Sequence, residues 1–324
     1  MQHDSPATRR EFLGLAGSAL AATTLGLASS ESAHAKVAAF ETKVDFKNPR
    51  WNRDAYARLQ GDLDIGKTRY SWIGGPVMAV VPNQKIQPLF YMDGISCCRF
   101  MEIEGGYRKL LREVVLYKDY ATREILEEWK NPYLDGEVVK VVPIANDPFN
   151  YNITDYYPDP PSFGGLNKEK PPKRPLLLDW SIVNNTLLLT TDIHLYYPNA
   201  LQPDKWPRES AGPLVQVTEL YRYHIRLEDM KNPRLTQVPC TGNWGRVTPW
   251  LPWMLMGTRP GHCLYNTDFS GGPSWDVVPE RSKDVLKYVE KHYPQYLTAP
   301  DKDYGPSLSS LENYAKNQKP APVK

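Results

Sequence analysis

The chain has 324 residues, with 39 Lys and Arg against 37 Asp and Glu, a formal net charge of +2 at pH 7. A balance this close to neutral gives no electrostatic footprint for nucleic acid or for an anionic membrane surface. Proline is frequent, at 30 residues, but 11% aromatic side chains supply enough apolar surface to exclude a wholly disordered chain.

The first element is an address. Thr8-Arg9-Arg10-Glu11-Phe12-Leu13 precedes an Ala- and Gly-rich apolar run over 13–27, and Ala33-His34-Ala35 follows as an A-x-A cleavage pattern. That order predicts a twin-arginine signal peptide over 1–35 and a single domain over 36–324, delivered folded to the periplasm or the medium. The run is too short and too rich in small residues for a stable span, and no later stretch is apolar enough, so no stable membrane insertion is expected. An N-terminal anchor or a chance Arg pair is the competing reading. Cleavage would remove Arg9 and Arg10 against Asp4, Glu11 and Glu31, which leaves the balance nearly neutral.

A helix is predicted over 48–59, with Pro49 near its start, Trp51, Ala55 and Leu59 at helical spacing and Gly61 beyond its end. Short β-type segments follow over 70–73, 77–81, 87–93, 97–104, 108–118, 124–130 and 137–144. Turn chemistry such as Gly74-Gly75-Pro76 and Asp93-Gly94 separates them, at the roughly 8–12 residue spacing of a barrel or sandwich. A Pro-, Gly- and Lys-rich surface loop is expected near 158–175, then strands over 176–182, 186–197 and 214–227. An aromatic strap follows near 243–262, and a helix from about Pro279 to His292. Neighbouring strands without alternating helices predict a mainly β fold, a large antiparallel barrel, calycin-like or a barrel-like sandwich, with N- and C-terminal helices. Such a barrel holds a small ligand or is filled by its own side chains.

Four cysteines, Cys97, Cys98, Cys240 and Cys263, follow the leader. A protein folded before export should not depend on disulfides. Adjacent strand residues face opposite ways, so at most one of Cys97 and Cys98 can readily pair with Cys240 or Cys263.

Four stretches carry a resemblance: Leu89-Phe90-Tyr91-Met92-Asp93-Gly94, the run from Arg112-Glu113-Val114-Val115-Leu116-Tyr117 to Trp129-Lys130-Asn131-Pro132, Ala145-Asn146-Asp147-Pro148, and Met256-Gly257-Thr258-Arg259-Pro260-Gly261. Together they resemble a family of exported bacterial proteins known as domain of unknown function 1838, over most of the chain after the leader. The resemblance implies a twin-arginine leader, which members frequently carry, and implies no reaction. Asp93 departs from the Glu expected in a typical member, keeping an acid with shorter reach.

Charges on apolar strand rows need partners, because burying an unpaired charge is costly. Asp93 and Arg99 lie on the row from Leu89 to Ile103, Arg112 on that of Leu110, Val114 and Leu116, and Glu219 on that of Val215, Val217, Tyr221 and Tyr223. These four are the candidate catalytic cluster, with Asp93 or Glu219 as general base and an Arg stabilising developing charge. The alternative is an ion-pair network that fixes register, or a turn at Asp93-Gly94 that returns the acid to water. Asp192 and His194 are further catalytic candidates, sharing a strand face with Tyr196. That face serves proton transfer if it lines a lumen and is ordinary surface if it does not. His224, on the next strand, joins His194 and Asp192 as a weaker candidate set for one zinc or iron ion.

Tyr91, Tyr196, Tyr221, His224, Trp244, Trp253, Arg259 and His262 are the candidate ligand contacts, the last four in the strap that could cap a barrel mouth. Esterase, NTPase, nicotinamide, haem and iron–sulfur motifs are absent. The expected activity is therefore cofactor-independent acid–base chemistry, of lyase or isomerase type, on a small aromatic or hydrophobic molecule. The alternatives are a non-catalytic binding protein with the same barrel and a His/Asp metal-dependent enzyme. Oligomeric state is left open.

Overall fold

The computed structural model describes residues 43–158 and 172–323. The leader and most of the Pro-rich loop lie outside the described residues. Helix α1 (Pro49–Gln60) forms where expected: the Asn48 side chain accepts hydrogen bonds from the Arg50 and Trp51 amides, and Pro49 opens the first turn. Its buried face, Trp51, Ala55 and Leu59, packs against Trp180, Leu187 and Leu189.

Twelve strands follow: β1 (Arg69–Val80), β2 (Gln87–Ile103), β3 (Gly106–Lys118), β4 (Glu128–Asn131), β5 (Glu137–Lys140), β6 (Ile144–Asn146), β7 (Tyr151–Thr154), β8 (Asp179–Val183), β9 (Thr186–Pro198), β10 (Leu214–Arg226), β11 (Cys240–Thr248) and β12 (His262–Gly272). The short helix α2 (Leu227–Lys231) lies between β10 and β11, and α3 (Lys283–His292) and α4 (Ser310–Asn317) close the chain. Ten strands make one sheet in the order β6-β3-β2-β1-β12-β11-β10-β9-β8, with β7 also on β3, while β4 and β5 form a separate hairpin. The main ladders are all antiparallel.

This is the mainly β, antiparallel architecture that the turn spacing predicts. The described ladder is an open path, and the chain just after β7 meets the chain just before β8 at an isolated bridge, Tyr156 to Pro175, flanked by the backbone hydrogen bonds Tyr157 N to Arg174 O and Leu176 N to Asp155 O. No described helix is long and apolar enough to cross a membrane.

Two of the expected breaks are not turns, because β1 runs through Gly74-Gly75-Pro76 and β2 through Asp93-Gly94. Gly74 lies opposite Asp93, and a Cβ there would collide with the Asp93 carboxylate. A Cβ on Gly94 would stand 2.9 Å from Val115 Cγ2. These glycines make room across strands and do not reverse the chain. The expected strap is also partly strand, since β11 takes up Trp244, and β12 begins at His262.

The sheet from β1 to β3 is buried on both faces. Trp72, Ile95, Val114 and Leu116 face a cover built from Val278, Val285, Val289 and Tyr296. Asp93 belongs to this covered face. Its Oδ1 accepts from Trp72 Nε1 and Ser282 Oγ, both at 2.9 Å, and its Oδ2 pairs with Lys118 Nζ at 2.7 Å. Lys118 also reaches Asp284 at 2.8 Å. Asp93 and Lys118 are each 1% exposed, so the pair is stable only because every strong contact is made.

Replacing Asp93 with Asn leaves Lys118 without its buried counter-charge. Urea titration of D93N should show a loss of about 3–5 kcal/mol, and D93N/K118M should recover much of it. An unchanged midpoint in D93N would remove the ion pair from the account of the fold.

Candidate functional site

The opposite face of the sheet lines a cavity of about 790 Å³. Strand parity brings three rows to it: Glu219, Tyr221 and Tyr223 from β10, Trp244 and Arg246 from β11, and Lys109, Leu111, Glu113 and Val115 from β3. A second cavity of about 450 Å³ lies between the Trp250–Trp253 turn and α4. Arg246 lines both and so stands at their junction.

Glu219 and Arg246 are direct cross-strand partners. Glu219 is 5% exposed. Its Oε2 accepts from the Tyr221 hydroxyl at 2.8 Å and from Trp244 Nε1 at 3.3 Å, while among the described residues its Oε1 has only Arg246 Nη1 at 3.6 Å. Burial disfavours the Tyr221 phenolate, and the Glu219 charge disfavours it further, so this hydroxyl stays protonated well past its ordinary range. Burial pulls the Arg246 guanidinium down, but Glu219 and the surrounding tyrosines outweigh it and hold the group charged.

The guanidinium carbon lies 5.9 Å from the ring centres of both Trp244 and Tyr265. Arg246 Nε is among the buried polar atoms with no hydrogen-bond partner among the described residues, and the Tyr117 hydroxyl lies nearby against Tyr265 and Trp253. Buried polar groups are normally satisfied, so the unused Arg246 donor calls for a ligand or ordered water.

Four β10 residues further along, the lumen has a second polar end. Lys109 Nζ donates to Gln60 Oε1 and to the Tyr151 hydroxyl, both at 3.1 Å. Gln60 Nε2 donates to the Tyr223 hydroxyl at 2.9 Å. Aromatic rings lie between the two ends, with Tyr223 packed edge-on against Phe269 at 4.9 Å and Tyr221 tilted against Trp244 at 6.1 Å.

Of the catalytic candidates, Glu219 faces this lumen with its charge enclosed, and Asp192 reaches only the cavity's exposed rim. Asp93 is on the opposite face in the Lys118 network, and Arg99 shares that face by strand parity. Arg112 bonds Asp147 at 2.8 Å and the carbonyls of Gln295 and Thr298 beneath the cover. The rows holding Asp93, Arg99 and Arg112 are apolar because the cover buries them, so an apolar row does not by itself mark the lumen. Asp192 and His194 form a 2.9 Å pair with side chains 58% and 61% exposed, Asp192 at the rim of the cavity and both open to solvent.

Register sets His194 opposite Thr218 and His224 opposite Leu188, which separates the two histidines by roughly 20 Å along the strands. The His194–His224–Asp192 set is thus not brought together, and no group of His, Cys, Asp and Glu able to hold a metal occurs among the described residues.

Among the ligand candidates, Tyr221 and Trp244 line the lumen, and Trp253 lines the smaller cavity against Phe90 and Tyr117. Tyr91 packs under the Arg123 guanidinium at 3.9 Å, away from both. Tyr196 is 40% exposed on the Asp192 face. His224 lies on the side of β10 that turns away from Tyr223, Arg259 is exposed with its guanidinium on the Met256 carbonyl, and His262 pairs in register with Val80.

The sequence reading passed over Arg246, Lys109, Gln60 and the tyrosines Tyr56, Tyr151 and Tyr223, all of which line the larger cavity. A signal was present for two of them: Arg246 shares its row with Cys240 and Trp244, and Lys109 shares its row with Leu111 and Val115. All four cysteines are buried free thiols; Cys97 faces the Tyr296 carbonyl and Cys98 the Gln60 carbonyl, on opposite faces as expected.

A family model described as a protein of unknown function, DUF1838, matches residues 66–318. No curated protein matches the chain.

Burial raises the thiols of Cys97 and Cys263 from an ordinary value of 9 to about 12. A raised value favours the protonated, folded form, so this stability is complete below pH 9 and is lost as pH climbs toward about 12. The urea midpoint should fall steeply between pH 8.5 and 11, and the native thiols should resist a disulfide reagent at pH 8 until denaturant is added. Rapid labelling of the native protein would contradict the sealed interior.

Proposed function

Since the chain belongs to the DUF1838 family, whose description assigns no reaction, we propose from its site that it is an exported, cofactor-independent acid–base enzyme of lyase or isomerase type. It takes a small aromatic or hydrophobic molecule into the lumen of a barrel-like, strongly curled sheet. The observation that carries this reading is the Glu219–Arg246 pair on neighbouring strands, open to the cavity, with Arg246 Nε unsatisfied and the Tyr117 hydroxyl nearby. A cavity of this size accepts a small organic molecule, and its aromatic walls offer stacking surfaces.

In the proposed step, Glu219 Oε1, the carboxylate oxygen with the fewest contacts, removes a proton from carbon next to a carbonyl. Arg246 and Tyr117 hold the charge that develops on the oxygen. Glu219 then returns the proton to another position, or the negative charge expels a β-leaving group. Tyr221 and Trp244 keep Glu219 aimed through its other oxygen.

Export through the twin-arginine route fits residues 1–35, and the four free, buried thiols support a fold that needs no oxidising compartment. Changing Arg9 and Arg10 to Lys should leave uncleaved precursor in the cytoplasm. N-terminal sequencing of exported protein should begin at Lys36, and an unprocessed N-terminus would contradict the cleavage site.

The chemistry is tested by incubating arylpyruvates and other enolisable aryl ketones with the protein in D2O and following C–H exchange by NMR. E219Q should slow enzyme-dependent exchange roughly 100-fold or more, while leaving binding of the fluorescent aromatic anion anilinonaphthalene sulfonate nearly unchanged. Exchange at the full rate in E219Q would remove Glu219 as the base. Dye binding in the lumen with no exchange in any substrate would favour a carrier.

A further inference from the structure

We infer that Lys109 is the seat of a carboxylate, so that the lumen's ligand is an aromatic carboxylic acid bound with its acid group at Lys109 and its reacting end at Glu219 and Arg246. This deepens the lumen reading and rests on it.

The argument starts from how this protein treats its other buried cations. Lys118 is 1% exposed and lies between two carboxylates. Arg58, fully buried, donates at 2.8 Å to each of the carbonyls of Leu235, Met230 and Asn232 and so closes the end of a helical turn. Each of these is saturated and its role is structural.

Lys109 is different. It is 7% exposed and lines the cavity, and where Arg58 has an acceptor for every donor nitrogen, Lys109 has two described acceptors, Gln60 Oε1 and the Tyr151 hydroxyl. No described carboxylate pairs with it, and an ammonium has three protons to donate. A buried ammonium with a proton left unpaired is costly, and an acceptor on a ligand in the cavity relieves that cost.

The surroundings are built for such a ligand. The Tyr151 hydroxyl itself donates to Gln60 Oε1 at 2.7 Å, and Gln60 is held through its amide by Tyr223, so the two oxygens that position the ammonium cannot swing away. The ammonium also lies 5.1 Å from the Tyr151 ring centre, which leaves the lumen side for an incoming acceptor. Tyr223 and Glu219 are four residues apart on β10, so the two polar ends are separated by roughly 13 Å. Tyr221, Tyr223 and Phe269 wall the interval. An elongated aromatic acid satisfies the cation at one end, the rings between, and Arg246 at the other.

Isothermal titration of the full mature chain with biphenyl-4-carboxylate and biphenyl-4-carboxamide, matched in shape and differing in charge, tests this. The wild type should prefer the carboxylate by about tenfold or more, the scale of one charge-assisted contact. In K109M that preference should vanish while the carboxamide binds as before, and the unliganded variant should melt no lower than wild type, because a merely structural lysine would lower the midpoint. K109Q serves if K109M does not fold. Equal affinity for the two probes in the wild type, or a preference that survives in K109M, overturns the seat and leaves the aromatic lumen standing. If neither probe binds, the seat and the lumen reading fall together.

Discussion

The organisation of this protein depends on where one carboxylate goes. Asp93 gathers Trp72 from β1, Lys118 from β3 and Ser282 from the C-terminal cover, and through Lys118 it reaches Asp284 at the start of α3. These contacts join three adjacent strands to the segment that covers them. Because a buried charge must be fully paired, the cover cannot lift without exposing an unsatisfied ion pair. The network therefore decides which face of β1 to β3 is sealed by helices and which is left to the lumen. Gly74 is part of the same solution, since any side chain there would occupy the space of the Asp93 carboxylate.

The lumen is solved in a different way. Its charged groups, the buried Glu219 and Lys109 and the partly buried Arg246, are less completely satisfied than Asp93. Glu219 is held at one oxygen and nearly free at the other, Arg246 leaves its Nε unused, and Lys109 has two described acceptors for three protons. A fold that satisfies Asp93, Lys118 and Arg58 so thoroughly has the means to satisfy these as well. Their incomplete pairing around one aromatic cavity is the physical basis for assigning the lumen to a ligand, with stability given up where binding needs it.

Much of the architecture was legible in the sequence. Asn48-Pro49 and the Trp51, Ala55, Leu59 spacing located α1, and the alternating apolar rows of β3, β9 and β10 gave an antiparallel sheet. The failures share a cause. Glycines at 74, 75 and 94 read as turn signals, whereas their role is cross-strand space, which only register reveals. Asp93, Arg99, Arg112 and Glu219 were grouped because each lay on an apolar row, but the C-terminal cover makes both faces of β1 to β3 apolar, and parity within one strand cannot say which face is which. Glu219 survived as a lumen residue because the outer face of β10 is polar, carrying Arg222 and Arg226, so its inner row was unambiguous. His194 and His224 were separated by register, a long-range quantity that composition does not encode. The Lys109 cluster joins α1, β3, β7 and β10, and no local window contains it.

The central claim is that the incompletely paired charges of the lumen are completed by a ligand. A crystal structure of the protein with biphenyl-4-carboxylate tests it most directly. The account predicts electron density along the Tyr221–Phe269 wall, with the carboxylate within hydrogen-bond distance of Lys109 Nζ and the distal ring directed at Glu219 and Arg246. Density for the acid on the outer face of the sheet, or a lumen closed by its own side chains with Lys109 paired to a protein carboxylate, would contradict it.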